Sequence, residues 1–207
     1  MNLFRPIQGC ILGTAVADAI GLPREGLTRR RAERLFGTAP LRHRLLAGRG
    51  LCSDDTEHTV MVAQALIRSG GDPDAFTRDF ARRLRWWLLR LPAGVGLGTL
   101  RASVKLWCGF GPRRSGVARA GNGPAMRAAL LGVVARDDAH LAALVAASTH
   151  PTHTDPRARQ GAQVVIHLAN RCCRSSDGCC YRHLSQRPLI QVGTLPRQSC
   201  DLARSSC

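Results

Sequence analysis

Phe76, Phe80, Leu84 and Leu88 recur every four residues, directly behind Asp72-Pro73-Asp74. With 3.6 residues per turn, that spacing lays one apolar stripe along a helix. Asp72 suits the N-cap, Pro73 the first helical position and Asp74 the positive end of the helix dipole. Pro92 closes the segment. A helix so patterned has to bury its stripe against other elements, and those elements also read as helices. Segments 7–22, 54–67, 124–135, 138–148 and 156–169 carry helical patterns between short polar or glycine-rich joints, and no segment shows the alternation of a half-buried strand. Five Phe, three Trp and one Tyr are all the aromatics in 207 residues, so alanine, leucine and valine have to fill the core. That supply suits close-packed helices. The expected fold is all-α, a compact orthogonal bundle. Within it, 7–22 is expected to be a buried small-residue helix broken by Asp18, and 54–67 a central one.

The formal charge of +16 invites a nucleic-acid reading, since clustered cations attract phosphate backbones. Two features argue against it. Among 30 basic residues only Lys105 is a lysine, which marks a composition bias, and the arginines are scattered without aromatic platforms between them. No nucleic-acid partner is expected. No run is long and apolar enough to span a bilayer. Segment 9–17 faintly imitates a signal peptide, but a single arginine precedes it and glycine interrupts it. A cytoplasmic monomer that avoids membranes is the expectation.

After residue 169 the character changes. Ala203 is the only alanine in 170–207, and six cysteines, with serines and arginines, replace the helical pattern. Two parts are therefore expected: a helical domain over 1–169 and an atypical tail over 170–207 outside its core. Cys172, Cys173, Cys179 and Cys180 raise a zinc reading for the tail, although adjacent pairs depart from the usual Cys-x₂-Cys spacing.

Five clusters can carry chemistry. Glu25 stands in Asp18-Ala19-Ile20-Gly21-Leu22-Pro23-Arg24-Glu25-Gly26, either as an exposed turn acid or as a general base or metal gate. Ser53-Asp54-Asp55-Thr56-Glu57 packs hard oxygen donors of the kind Mg²⁺ or Mn²⁺ prefers, or simply opens a helix with capping and dipole-matched acids. Gly94-Val95-Gly96-Leu97-Gly98-Thr99 reads as a flexible loop, and Gly121-Asn122-Gly123-Pro124 as a turn into a helix whose N-terminus attracts phosphate. Both glycine segments are equally compatible with plain interhelical turns. In His150-Pro151-Thr152-His153-Thr154-Asp155-Pro156, Asp155 suits an N-cap, while His153 can face a ligand or a metal's outer shell.

In their order, Gly-Cys-Ile-Leu-Gly-Thr-Ala-Val-Ala-Asp-Ala-Ile-Gly-Leu-Pro-Arg-Glu-Gly, Ser-Asp-Asp-Thr-Glu, the glycine loop, Gly-Asn-Gly-Pro-Ala-Met-Arg and Thr-His-Thr-Asp-Pro-Arg-Ala resemble the successive motifs of the ADP-ribosylglycohydrolases. The resemblance spans residues 7–169. It implies a metal-dependent hydrolase that cleaves the glycosidic bond between ADP-ribose and a protein side chain or small conjugate, with two Mg²⁺ or Mn²⁺ ions at the base of an ADP-ribose cleft. By this resemblance Ser53, Asp54 and Asp55 are metal ligands, and Glu25 and Asp55 are catalytic. Gly96, Gly98, Thr99, Gly121, Asn122, Gly123, His153 and Asp155 contact substrate. The family completes its metal shell with a C-terminal Asp-x-Asp-Thr/Ser motif, whereas this tail offers only Asp177 and Asp201, outside that pattern. The expectation is a C-terminally truncated or frame-shifted member whose second metal site is compromised. The alternative is an inactive relic or ADP-ribose-binding module.

Overall fold

The computed structural model describes residues 3–38, 41–43, 48–90, 92 and 94–174. Among these the protein is all-α. Its helices are α1 (Phe4–Gly21), α2 (Arg29–Phe36), α3 (Asp54–Ser69), α4 (Pro73–Leu88), α5 (Leu97–Trp107), α6 (Gly123–Met126), α7 (Ala129–Val134), α8 (Asp138–Thr149) and α9 (Pro156–Arg174). A single 3₁₀ turn, Leu22–Arg24, follows α1. No described helix is long and apolar enough to cross a membrane.

The striped helix is α4, and it packs against α3, α5 and α8. Asp72 caps it by accepting from the Ala75 amide at 2.7 Å, and Pro73 opens it. Phe76, Phe80 and Leu84 are fully buried, with the Phe76 and Phe80 rings stacked. A four-residue repeat drifts by about 40° per step around a 3.6-residue helix. By the fourth step Trp87 has turned inward and Leu88 is only half-buried.

Three expectations change. Helix α1 is not buried all round: Phe4, Leu12 and Val16 are exposed, while Ile7, Cys10 and Ile11 lean on the core. Its main packing partners are α3 and α7. Helix α3 buries Val62 and Ala65 but leaves Ile67 exposed, so it is central through its neighbours α1, α4, α6 and α7 rather than through all its faces. The single helix expected over 124–135 is two short ones, α6 and α7.

Helix α9 continues to Arg174, five residues past the change in composition. Asn170 Nδ2 donates to the Gly132 carbonyl at 2.8 Å and Arg174 to the Arg136 carbonyl at 2.9 Å, which ties this last turn to α7 and the residues just after it. Of the four cysteines in the zinc reading, Cys172 and Cys173 fall on α9, while Cys179 and Cys180, like Asp177 and Asp201, lie outside the described residues.

Contact between α7 and α9 is close enough to require a glycine. A Cβ on Gly132 would stand 2.3 Å from the Ile166 carbonyl oxygen and 3.1 Å from the Ala169 Cβ. A helical carbonyl cannot swing away as a flexible side chain can. Gly132→Ala is therefore expected to lower stability by about 2 kcal/mol despite alanine's better helix propensity. Urea denaturation checks this; a midpoint at or above wild type would show that the two helices part freely.

Candidate active site

The acidic cluster is organised by Asp18, which the sequence suggests only as a break in the first helix. Ser53 occupies the N-cap position of α3, yet its hydroxyl does not cap the helix. It donates instead to Asp18 Oδ1 at 2.6 Å. Asp18 Oδ2 accepts from the Ser53 amide at 2.8 Å and the Thr56 amide at 3.1 Å, and also from the Thr56 hydroxyl. Asp18, buried on α1, thus performs for α3 the capping that a local residue usually performs. It also fixes where Asp54 and Asp55 begin their turn.

Those two aspartates and Glu25, which follows the 3₁₀ turn, line one cleft of about 370 Å³ with Gly96, Gly98, Thr99, Gly121, Asn122, Gly123 and His153. Gly94, Arg119 and Met126 complete much of its wall. Ten of the twelve expected site residues therefore meet, though they come from segments spread along most of the described chain. Two do not line the cleft. Ser53 is buried behind it on Asp18. The Asp155 carboxylate is engaged by Arg157, accepting from its backbone amide at 2.9 Å and its guanidinium at 2.9 Å at the start of α9.

The electrostatics of the acidic wall are unfavourable to anions. Burial pushes the Asp54 carboxyl up to about 7, reinforced by Asp55, Glu25 and Asp18. Glu25 is raised by burial and then by Asp55 and Asp18, and Asp55 by burial and then by Asp18. None of these four carboxylates has an ion-pair partner among the described residues. Uncompensated carboxylates in a partly dry cleft suit a hard divalent cation. The described residues supply only part of a shell, because no group of three His, Cys, Asp or Glu side chains among them could hold a metal ion.

The cleft glycines also serve a purpose the sequence did not suggest. Cβ atoms placed on Gly98 and Gly121 would lie 2.6 and 2.7 Å from His153 Nε2, and one on Gly123 would lie 3.0 Å from His153 Cε1. The three glycines make room for an imidazole. Gly98 and Thr99 are not loop residues, since α5 begins at Leu97. Gly94 alone in that segment needs a positive φ, 79°, and its missing side chain admits Asp54 Oδ1. The phosphate-attracting helix end expected after Asn122 is absent, because α6 has only four residues and too few aligned peptides for an appreciable dipole.

His153 is held by a parallel bridge to Val117 and by its amide, which donates to the Thr149 carbonyl at 2.8 Å. Burial lowers its pKa to about 4, helped by Arg127 and Arg119 against a small opposing effect of Asp155. The imidazole is neutral near pH 7. Behind it lies Arg127, fully buried with its guanidinium over the Phe80 ring, another residue the sequence reading missed. Its only signal was a lone charge entering the apolar run Ala128-Ala129-Leu130-Leu131.

An all-α scaffold that opposes an acidic wall to a glycine-framed histidine is the class of site this chain builds. The family model described as ADP-ribosylglycohydrolase matches residues 1–201. The chain belongs to the ADP-ribosylglycohydrolase family. It is 34% identical over 172 residues to an uncharacterized protein of Archaeoglobus fulgidus, covering 80% of this chain and 54% of that relative. A solved structure described as an ADP-ribosylglycohydrolase-related protein complex superposes with a TM-score of 0.62 at 29% identity, covering 84% of this chain and 57% of the other. The chain thus spans a little over half the length of both.

Proposed function

We propose that the cleft binds an ADP-ribosyl group and that the chain's chemistry is hydrolysis of the glycosidic bond linking ADP-ribose to a protein side chain or small conjugate. One observation carries this reading: Glu25, Asp54 and Asp55 line one cleft together with His153 and Gly121, Asn122 and Gly123. A divalent cation, Mg²⁺ or Mn²⁺, held in part by Asp54 and Asp55, would supply Lewis acidity and order a water. Glu25, whose pKa burial moves toward neutrality, orients and deprotonates water near the anomeric carbon. His153 and the exposed Arg119 are placed to meet diphosphate and ribose oxygens.

Thermal denaturation with ADP-ribose and Mn²⁺ tests the site, since a ligand at one hundred times its Kd stabilises by about 2.7 kcal/mol. Glu25→Gln is expected to keep that stabilisation while lowering ADP-ribose release from a modified protein by at least about a hundredfold. No stabilisation by ADP-ribose under any cation condition would end the proposal. A second reading, an ADP-ribose-binding module without catalysis, is favoured by the partial metal shell. Stabilisation that persists in EDTA, with no release activity, would select it.

A further inference from the structure

Arg127 is a guanidinium with no access to solvent and no carboxylate within ion-pair distance among the described residues. The acceptors it meets are all neutral. Nε donates to Ser148 Oγ at 3.0 Å, and Nη2 to the Ser148 carbonyl and the Thr152 hydroxyl, each at 2.7 Å. Nη1 stands 3.1 Å from His58 Nδ1. Arginine only donates, so every oxygen or nitrogen it touches has to accept. That one-way rule propagates outward.

Thr152 Oγ1, having accepted from Arg127, still has its own proton to place. Two acceptors are near: the Thr149 carbonyl at 3.3 Å and His153 Nδ1 at 2.9 Å. The Thr149 carbonyl already receives the Thr152 amide at 3.1 Å and the His153 amide at 2.8 Å. Two bonds occupy the lone pairs of a carbonyl oxygen, and the third approach is long. His153 Nδ1 is the remaining acceptor. A neutral imidazole that accepts at Nδ1 carries its hydrogen on Nε2, the atom lying toward Gly98 and Gly121. No described residue accepts that hydrogen.

We infer that Arg127 and Thr152 are positioning residues that lock His153 in its Nε2–H tautomer, making it a hydrogen-bond donor to an oxygen of the bound ligand rather than a base or a metal ligand. The ligand it serves is an oxyanion or hydroxyl-rich group, a phosphate or ribose oxygen. This deepens the ADP-ribose reading and rests on it for the ligand's identity. The buried cation behind Thr152 polarises the relay, so the Nε2–H bond is stronger than that of an isolated histidine. It also opposes imidazolium formation, so the donor state persists at neutral pH.

The full chain labelled with ¹⁵N-histidine gives the direct test, with His153 assigned by loss of its signals in His153→Gln. Long-range ¹H–¹⁵N spectra of the ligand-free protein are expected to show a protonated Nε2 and a bare Nδ1. Thr152→Val, which keeps the shape and removes the hydroxyl, is expected to give a tautomer mixture, and Thr152→Ser to restore the single form. ADP-ribose affinity is expected to fall about tenfold in Thr152→Val and to recover in Thr152→Ser. A wild-type His153 protonated on Nδ1 overturns the inference, as does a Thr152→Val spectrum unchanged from wild type. The wild-type spectrum decides the matter even if Thr152→Val fails to fold. An Nε2–H tautomer in a protein that ignores ADP-ribose upholds the relay while ending the ligand reading, whereas the reverse tautomer with intact binding removes the relay alone.

Discussion

Asp18→Ala lowers the stability of the fold by about 4 kcal/mol, more than any other single carboxylate truncation in the chain. The residue is buried and accepts from the Ser53 amide and hydroxyl and from the Thr56 amide and hydroxyl. Each bond to a charged acceptor contributes about 1.5–3 kcal/mol, and buried donors left without a partner add their desolvation penalty. The four are not additive, because they share one carboxylate. Alanine also removes the polar link between α1 and the first turn of α3. Asp18→Asn isolates the charge: its oxygen can serve one side of the array, but its amide faces donors where Oδ1 or Oδ2 accepted, so a loss of about 2 kcal/mol is expected. Ser53→Ala, which deletes one of the four bonds, should lose about 1 kcal/mol. Linear extrapolation from urea denaturation measures all three. If Asp18→Ala loses under 1 kcal/mol, or if Ser53→Ala equals it, Asp18 does not organise the cluster. Since Asp54 and Asp55 start the turn that Asp18 caps, the same variant is expected to lose Mn²⁺-dependent stabilisation.

What could be read in advance divides by the sequence distance over which the physics acts. The cap and stripe of α4 are local: Asp72, Pro73 and Phe76 act within one or two turns, and they behave as their spacing says. The acidic cluster was legible for the same reason, because Asp54 and Asp55 are neighbours and both face the cleft. Placing Glu25, Asn122 and His153 beside them came from the resemblance of motifs, not from any local rule. The structure brings them together as that resemblance implies.

The misreadings concern residues whose partners are far away in the chain. Asp18 looked like a flaw in an apolar helix because the donors it satisfies lie 35 to 38 residues on. Ser53 reads locally as a cap and by resemblance as a metal ligand, but its hydroxyl donates to a carboxylate far back in the chain. Arg127 gave little sign of burial, since its acceptors at Ser148 and Thr152 are 21 and 25 residues downstream. Helix α1 was expected to be buried from composition alone, which shows that a helix is apolar without showing how many of its sides are covered. The sequence leaves the two glycine segments open between ligand contact and plain turns, and it gives no sign that Gly98, Gly121 and Gly123 also make room for one histidine 30 to 55 residues further along.

That histidine separates two glycines which the sequence presents as equivalent. Gly96→Ala changes little: the residue is exposed, its φ of −64° suits any L residue, and a Cβ there meets nothing within 4 Å. Because nothing there displaces His153, ADP-ribose affinity should fall far less than in Gly98→Ala, and stability should fall by about 1 kcal/mol at most, the effect of alanine at an N-cap. Gly98→Ala faces opposite local and long-range effects. It sits in the first turn of α5, where alanine gains about 1 kcal/mol of helix propensity over glycine. Its Cβ would lie 2.6 Å from His153 Nε2 and 3.2 and 3.3 Å from the ring carbons Cε1 and Cδ2, so the imidazole has to shift. The ring is buried and anchored through Nδ1, and moving it takes Nε2 away from the position it offers to a ligand. Global stability should therefore remain within about 1 kcal/mol of wild type, while ADP-ribose binds roughly thirtyfold more weakly, as expected for about 2 kcal/mol of strain and a lost hydrogen bond. Gly121→Ala, with its Cβ 2.7 Å from the same nitrogen, should reproduce the loss. Calorimetric titration of ADP-ribose into the three variants decides the matter. Wild-type affinity in both Gly98→Ala and Gly121→Ala would mean that the ligand does not use the face of His153 which these glycines leave open.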